Sequence, residues 1–368
     1  MTPIFLSLQT AVGLLWKAFW ALAIGYAFSA IIQVFISKKA AVKHLGEGTP
    51  KQLTLAGILG FISSSCSFAA LSGTRALFAK GASIVSALAY MFASTNLAIE
   101  VAALAYIFLG WHYAVALFVG APILITIQAI LVTITFPKKL VKKAQKTAQE
   151  KTHGNEDPAQ GLPTSFKNKL LHAKTWHRVG AAYKGEWGMV YKEIIIGFLI
   201  AGFVATLIPP SFFEALFPTN LAPWMLIPLQ ALLAPVLAVI TVIGSMGNGP
   251  LAAILANNGI VFGAIMAFLY ADFNVPPAIK INARYYGWPF ALYIALITAL
   301  SAIITGIAVH VLFGALGMLP THANNIQELA AFKIDYTFWL NIVALCIAIT
   351  LFIIARYNKG KAPHSHHR

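Results

Sequence analysis

The sequence predicts an all-α polytopic membrane protein with two structural repeats, which we expect to be inverted, and with broken or re-entrant helices. Hydrophobic residues make up 59% of the chain and charged residues 10%, too apolar a balance for an ordinary soluble domain. Apolar stretches recur at lengths near the roughly 20 residues that cross a bilayer. Two of these stretches share one polar pattern, and interrupted helices in repeated units are typical of secondary transporters.

The shared pattern has a small polar segment, a glycine, and a second apolar segment that contains an asparagine. In the first copy Asn96 follows Gly81 by 15 residues, and in the second copy Asn274 follows Gly259 by the same number. A Gly-Trp pair closes each copy. The matching order indicates that the two stretches have similar local structures.

Basic residues give the chain a net charge of +15, and they lie in a few loops. Residues 137–187 contain eleven Lys or Arg against four acidic residues, and residues 37–52 and the C-terminus are also basic. Positive loops beside membrane spans mark the cytoplasmic side. The sequence therefore predicts a multi-pass protein of the bacterial inner membrane. The charge lies in membrane-flanking loops and not in a folded basic domain, which argues against nucleic-acid binding.

We predict four parts in the chain. Residues 1–136 form the first membrane repeat with its N-terminal helix, residues 137–187 a basic cytoplasmic linker, residues 188–316 the second membrane repeat, and residues 317–368 a C-terminal helix and basic tail. If both basic loops are cytoplasmic, one of the three apolar segments between them must return to its own side. We assign this re-entrant course to the segment after Gly81, and we place the Gly81 and Gly259 turns on opposite faces of the membrane.

Cys66 is the first candidate for substrate chemistry, because it lies in a run of serines inside an apolar stretch, with Ser64 and Ser65 beside it. Thiolates select soft ions, so Cys66 is a candidate ligand for a soft metal or metalloid, and the two serines are candidate substrate contacts. The alternative is a small residue that lets membrane helices pack closely. With Cys346 as the second cysteine, the chain has no disulfide framework.

Four further residues, three asparagines and a methionine, are candidate substrate contacts. Met246 and Asn248 lie in the glycine-rich run Gly244–Pro250, which we expect, like the serine run around Cys66, to form a turn with unpaired backbone groups. Asn96 and Asn274 occupy matching positions of the two copies. An amide side chain in hydrocarbon must find a partner, so each asparagine either ties helices together or lines a solute path.

Glu100 and Asp272 are the carboxylates most clearly inside membrane segments, and they are candidates for carrying coupling protons. An internal ion pair with Arg75, Lys280 or Arg284 is the alternative. The chain contains no GxxxxGK[ST], HExxH or GxSxG pattern, so ATP hydrolysis, zinc proteolysis and serine hydrolysis have no support. We predict no cofactor and no enzymatic role, with transport driven by an ion gradient or by the gradient of the substrate.

At these motifs the chain resembles a family of predicted permeases that includes the trivalent organoarsenical efflux permeases and related metal exporters. The first repeat of that family typically contains PLCSCG, a RRGAS-type turn and an ALAFLLATPATNL-type segment. The second typically contains CSxGNxPLAA and LAFxFADLxxLPxxxxYRKYYG. The matching parts of this chain are Ser63–Ser67, Ala79–Ser83, Ala87–Leu97, Gly244–Ala253 and Ala267–Gly287.

The resemblance implies a permease that exports a small toxic solute, such as a trivalent organoarsenical or a soft metal ion, by alternating access. Its partners would be that solute, the lipid bilayer and coupling protons. This chain keeps Cys66, but it has Ser64 where the family has the partner cysteine and Gly244 where the second repeat often has another. A single thiol among hydroxyls is a poor cage for a soft metalloid. A channel or transporter of the same fold for a small non-thiophilic solute or anion is therefore the main alternative, and an intramembrane enzyme is a further one.

Overall fold

The computed structural model describes residues 2–35, 45–46, 48–63, 67–150, 166–218, 221–241, 243–320 and 325–356, which form helices and turns without a β-strand. The first half has α1 (Pro3–Phe35), α2 (Pro50–Ser63), α3 (Ser67–Ala79), α4 (Ile84–Asn96), α5 (Ile99–Leu109) and α6 (Trp111–Thr135), followed by α7 (Lys138–Glu150) and α8 (Phe166–Leu171). The second half has α9 (Ala173–Leu207), α10 (Pro210–Leu216), α11 (Pro223–Thr241), α12 (Ser245–Asn257), α13 (Phe262–Tyr270), a 3-10 turn (Asp272–Asn274), α14 (Pro276–Tyr286) and α15 (Trp288–Ala315), followed by α16 (Ile326–Ala330) and α17 (Tyr336–Arg356).

In the described part of the chain, six helices are long and apolar enough to cross a membrane, namely α1, α6, α9, α11, α15 and α17. At a rise of about 1.5 Å per residue, a helix of about 20 residues spans the hydrocarbon core of a bilayer. Helices α4 and α5 meet the same criterion together, although the chain bends by 46° between them. The chain is thus an all-helical, multi-pass membrane protein, which confirms the predicted fold class.

Matching helices in the two halves begin at a constant separation. Helices α3 and α12 both have 13 residues, and their first residues lie 178 positions apart. The same separation relates the first residues of α4 and α13. The turns before α4 and α13 contain Gly81 and Gly259, whose φ angles are 100° and 78°. Side chains disfavour this left-handed region, so both turns require glycine.

The start of helix α2 and the end of helix α3 lie next to each other. The backbone amide of Ser83, just after α3, donates a hydrogen bond to the carbonyl of Leu45, just before α2, at 2.9 Å. Gly60 of α2 packs tightly on α4, because a Cβ atom at Gly60 would lie 2.6 Å from the carbonyl oxygen of Tyr90. We call α2 and α3 the first hairpin, and the residues at its tip, Ser64 to Cys66, lie outside the described residues.

Helices α11 and α12 form a second hairpin of the same kind. The buried side chain of Gln230 joins its two ends, since Oε1 accepts from the amide of Val261 at 2.8 Å and Nε2 donates to the carbonyl of Pro218 at 3.1 Å. The glycine-rich run Gly244–Pro250 differs from the expected turn, because α12 is helical from Ser245 onwards. Glycine is needed there for close packing: a Cβ atom at Gly197 of α9 would lie 2.9 Å from Cα of Gly247.

The Gly81 turn lies beside α7, inside the predicted linker. Gln145 and Gln149 of α7 donate hydrogen bonds to the carbonyls of Phe78 and Ala79 at the end of α3, each at 3.2 Å. The hairpin before Gly81 begins and ends near one place, and the re-entrant course that we assigned to the segment after Gly81 stays a prediction. With 14 and 13 residues, α2 and α3 are each about 20 Å long and too short to cross a bilayer.

The two halves pack on each other through their long helices. Helix α1 lies along α9, and α6 lies along α15, while α17 packs against both α1 and α9. Gly202 of α9 allows close contact, because a Cβ atom there would come within 2.6 Å of Ala11 and of the Ser7 carbonyl. Helix α9 begins at Ala173, inside residues 137–187, so regular structure starts earlier than the apolar sequence indicated.

Candidate functional site where two helices begin

The N-termini of two helices meet in the interior of the protein. Ser67 is the first residue of α3 and Ser245 the first residue of α12, and their side-chain oxygens lie 2.5 Å apart. Both side chains are buried. The first amides of a helix have no partner within the helix, and the helix dipole makes this end partially positive. The tips of the two hairpins thus bring hydrogen-bond donors and partial positive charge to one point.

Asp272 reaches this point from the 3-10 turn after α13. Its Oδ2 atom accepts a hydrogen bond from Ser67 Oγ at 3.3 Å, and the side chain is 1% exposed. The Oδ1 atom has no hydrogen-bond partner among the described residues. Helix α13 ends at Tyr270, and Pro276 holds the preceding Val275 in an extended conformation. The turn between these residues directs Asp272 toward Ser67.

Glu193 of α9 is a carboxylate that sequence reasoning missed. Its Oε1 atom lies where a side chain of Gly244 would begin, 1.3 Å from the position of a Cβ atom on that glycine. Gly244 is the N-cap residue of α12, so Glu193 occupies the place of a capping side chain. The residue after Gly244 is Ser245, so Glu193 lies beside the contact between Ser245, Ser67 and Asp272. Glu193 follows Lys192, at the point where the polar linker ends and an apolar segment begins, so it resembled an ordinary linker residue. A single acidic residue at the start of an apolar segment could nevertheless have marked it as a candidate.

Asn248 faces the same region from one helical turn further along α12. Residues three apart lie on one face of a helix, so Asn248 follows Ser245 on the surface toward the site. The side chain is 1% exposed, and neither Nδ2 nor Oδ1 has a partner among the described residues. A buried amide without a protein partner is available to a bound solute. The backbone of Met246 lies between these residues, in the first turn of α12.

We call Ser67, Glu193, Ser245, Asn248 and Asp272 the helix-start site. In the described part of the chain, no Lys or Arg lies within 4.0 Å of either carboxyl group, whereas Lys17 and Asp335 form an ion pair at 3.0 Å. No group of three or more His, Cys, Asp or Glu side chains suited to a metal ion occurs in that part. The site offers hydroxyl, amide and carboxyl groups beside positive helix ends, which suits protons and small polar solutes.

The two asparagines of the sequence pattern lie close to each other but differ in their contacts. Asn96 Nδ2 donates to the Phe92 carbonyl of its own helix at 3.1 Å. Asn274 Nδ2 donates to the Ala295 carbonyl of α15 at 2.8 Å, and its Oδ1 has no partner among the described residues. The rings of Phe92 and Phe273 are 5.8 Å apart, so the ends of the two segments meet.

Glu100 lies at a different contact, between α5 and α1. It is fully buried, and a Cβ atom at Gly25 of α1 would lie 2.5 Å from Glu100 Cβ. The predicted contacts Ser64, Ser65 and Cys66 lie outside the described residues, although the next residue in the chain is Ser67 of the helix-start site.

A groove with a volume of about 710 Å³ lies elsewhere, between α2 and α6. Its lining has no charged side chain and consists mainly of aliphatic residues such as Leu53, Ile58 and Ile130. None of the residues of the helix-start site contributes to it. The groove therefore does not share the carboxyl and amide groups of the helix-start site.

Comparison with known proteins assigns the chain to a protein family. A family model described as "Predicted permease" matches residues 5–311, which include both hairpins and the whole helix-start site. The chain belongs to this family. The permease is also similar to "Putative permease Rv2963" of Mycobacterium tuberculosis (strain ATCC 25618 / H37Rv), with 32% identity over 324 residues that cover 86% of this chain and 80% of that protein. No solved structure matches this permease.

Proposed function

We propose that this permease exports a small toxic solute, such as a trivalent organoarsenical or a soft metal ion, by alternating access through the helix-start site. The contact between Ser67 and Ser245 is the observation that carries the proposal, because it joins the tips of two hairpins from different halves of the chain. Interrupted helices that meet at mid-membrane depth form the binding sites of many secondary transporters. Cys66, one residue before Ser67, would supply a soft ligand at the tip of the first hairpin.

The two halves act, in this proposal, as inverted repeats that move against each other. The equal starts of α3 and α12, and of α4 and α13, support a common origin of the halves. If the basic loops are cytoplasmic, the first hairpin enters from the cytoplasm and the bent pair α4 and α5 crosses outward. The second hairpin then enters from the opposite side. This arrangement also places Arg75, Lys80, Lys280 and Arg284 on the cytoplasmic side, as the positive-inside rule favours.

Charge supports a location in the bacterial inner membrane with residues 137–187 in the cytoplasm. Transport would draw on an ion gradient, with Asp272 as the coupling carboxylate at the site and Glu100 as a second candidate between α5 and α1. A carboxyl group at such depth is costly to ionise and is a functional candidate by default. Asn248 and Asn274 would bind the polar part of the solute, since each has a side-chain atom without a partner among the described residues.

A transporter or channel for a small non-thiophilic solute or anion is the second candidate. Two helix N-termini point their unpaired amides at one place, and this arrangement favours anions. The described contacts at that place come from hydroxyl, amide and carboxyl groups. Saturable flux would favour a transporter, and near-linear flux a channel.

The test is a melting-temperature screen of the purified protein in detergent, with trivalent organoarsenicals, copper(I), zinc and small anions. Ligands that bind the folded state raise the melting temperature by mass action. We expect stabilisation by an organoarsenical or soft metal that disappears in Cys66→Ser and persists in Cys346→Ser. Cys346 is the matched control because it is exposed on α17. Stabilisation by anions that survives in both variants would favour the second candidate and contradict a soft substrate.

A further inference from the structure

We infer that Glu193 and Asp272 form a carboxyl pair that holds the exchangeable proton coupled to transport. The inference rests on the proposed function and assigns to Glu193 a role that its sequence context does not show. Its first support is position. The Glu193 carboxyl occupies the side-chain place of Gly244, at the N-terminus of α12. The next residue, Ser245, has its Oγ 2.5 Å from the Oγ of Ser67, which donates to the Asp272 carboxyl.

Two glycines of the α12 segment, Gly244 and Gly247, allow Glu193 to occupy this position. Gly244 leaves space for the carboxyl group, and Gly247, one turn further along α12, lets α9 approach until a Cβ atom at Gly197 would lie 2.9 Å from Cα of Gly247. Gly197 follows Glu193 by one helical turn of α9. The close contact of α9 with α12 at Gly197 therefore fixes the position of Glu193 along α9 relative to the N-terminus of α12. A carboxylate at a helix N-terminus is also favoured by the helix dipole.

One oxygen of each carboxyl group lacks a donor, and no Lys or Arg in the described part of the chain forms an ion pair with either group. Glu193 Oε1 and Asp272 Oδ1 are both buried acceptor atoms without a hydrogen-bond partner among the described residues. Ser67 supplies the described side-chain donor to Asp272. Two like charges in a buried site disfavour the state in which both are ionised. One proton provides the missing donor, removes one charge and transfers between carboxyl oxygens by breaking one O–H bond and forming another.

Two other acids, Glu186 and Asp335, have side-chain partners of a kind that Glu193 lacks among the described residues. Glu186, two turns before Glu193 on α9, accepts hydrogen bonds from Ser29 Oγ at 2.6 Å and from Gln33 Nε2. These donors favour its ionised form. Asp335, outside the membrane helices, pairs with Lys17. In the described part of the chain, Glu193 Oε1 and Asp272 Oδ1 have no donor and neither carboxyl group has a cation, so we assign the proton to this pair.

Charged groups on the neighbouring elements are engaged elsewhere or lie outside the site. Lys169 donates to the Phe35 carbonyl at 2.6 Å, and His310 Nδ1 accepts from the Gly263 amide at 3.1 Å. Tyr270 donates to the Ala116 carbonyl at 2.7 Å, and Arg75 lies over the ring of Tyr285. Helices α11 and α12 carry no titratable side chain. The titratable side chains on the elements packed against the pair are Lys17, Tyr26, Arg75, Glu100, Tyr106, Lys167, Lys169, Tyr270, Lys280, Arg284, Tyr285, Tyr286, Tyr293, His310, Tyr336, Cys346 and Arg356.

The experiment measures the proton directly in the full-length protein, without any transported solute. Infrared difference spectra between about pH 5 and about pH 9 report the C=O stretch of a protonated carboxyl group, and melting temperatures are measured over the same range. A proton held more tightly by the folded state stabilises it at low pH, and this stabilisation is lost as pH rises. We expect wild-type protein to show the band and a melting temperature that falls with rising pH.

Glu193→Gln should remove the band and flatten the pH dependence, because glutamine is a permanent neutral donor. Gly244→Ala provides a second variant that keeps both acids, since the new Cβ would displace the Glu193 carboxyl and weaken the band. Gly188→Ala, at an open position of the same helix, and Glu186→Gln should leave the band unchanged.

An unchanged band in both Glu193→Gln and Gly244→Ala would overturn the inference. So would a melting temperature that depends on Na⁺ concentration at constant ionic strength in place of pH, because the pair would then bind a metal cation. These outcomes are separate from the proposed function. A protein with the expected band that binds no solute of the panel would contradict the export proposal and leave the proton site intact.

Discussion

The two hairpins have the same plan but differ in chemistry. In each half a hairpin is followed by a glycine turn and a helix that begins in the same register. Position 178 residues after Ser94 in α4 is Asp272, so a buried hydroxyl in the first half corresponds to a buried carboxyl in the second. The difference shows that two segments with the same backbone arrangement can have an ionisable side chain in only one of the two halves. Coupling and solute binding can therefore be divided between the halves.

The segments after the hairpins also end differently. Helix α4 is regular up to Asn96, whereas α13 stops at Tyr270 and a 3-10 turn follows. Both segments resume in a new helix after an extended N-cap residue, Ala98 in the first half and Val275 in the second. The earlier break in the second half is what frees Asp272 to reach Ser67.

The largest expected effect separates the matched positions Asp272 and Ser94. Asp272→Asn removes the carboxyl group to which we assign the coupling proton, so we expect transport in everted membrane vesicles to fall by about tenfold or more, equivalent to about 1.4 kcal/mol. Ser94→Ala should retain most of the wild-type rate. The transported solute is the one that raises the melting temperature in the screen. Equal losses in the two variants would show that the halves share the coupling role.

The next largest expected effect concerns stability, and it compares the contacts that join the two outer ends of each hairpin. Gln230→Ala leaves the buried amide of Val261 and the carbonyl of Pro218 without their partner, and an unsatisfied buried group costs about 1–3 kcal/mol. Ser83 caps α4 locally by accepting from the Ser86 amide at 3.1 Å, so Ser83→Ala should cost about 1 kcal/mol.

Melting temperatures in detergent, measured at one pH and protein concentration, compare these two variants. We expect the greater decrease for Gln230→Ala, because the second hairpin depends on one side chain where the first has the direct bond from the Ser83 amide to the Leu45 carbonyl. A smaller decrease for Gln230→Ala than for Ser83→Ala would mean that the base of the second hairpin is held by other contacts.

Sequence patterns predicted local structure well and long-range contacts poorly. Apolar length located α1, α6 and α17 to within a few residues at most ends, since these helices depend on composition alone. The function of Gly244 was not visible, because the Glu193 carboxyl that requires its missing side chain is 51 residues away along the chain. The first hairpin was not visible for a similar reason: the pairing of Leu45 with Ser83, and not any local pattern, identifies it.

The smallest expected effect concerns the two asparagines, which the sequence presented as equivalent. Asn274→Ala removes a hydrogen bond between the second segment and α15, so we expect a loss of about 1 kcal/mol in stability. Asn96→Ala removes a bond within one helix, and since such bonds compete with regular helical structure, the loss should be close to zero.

Solute binding should show the same order, because Asn274 Oδ1 has no partner among the described residues. The solute-induced rise in melting temperature, compared between the two variants, measures this directly. If Asn96→Ala reduces that rise as much as Asn274→Ala does, both halves contribute equally to the solute path. The asymmetry between the halves would then be limited to the carboxyl group of Asp272, and coupling alone would distinguish the second hairpin from the first.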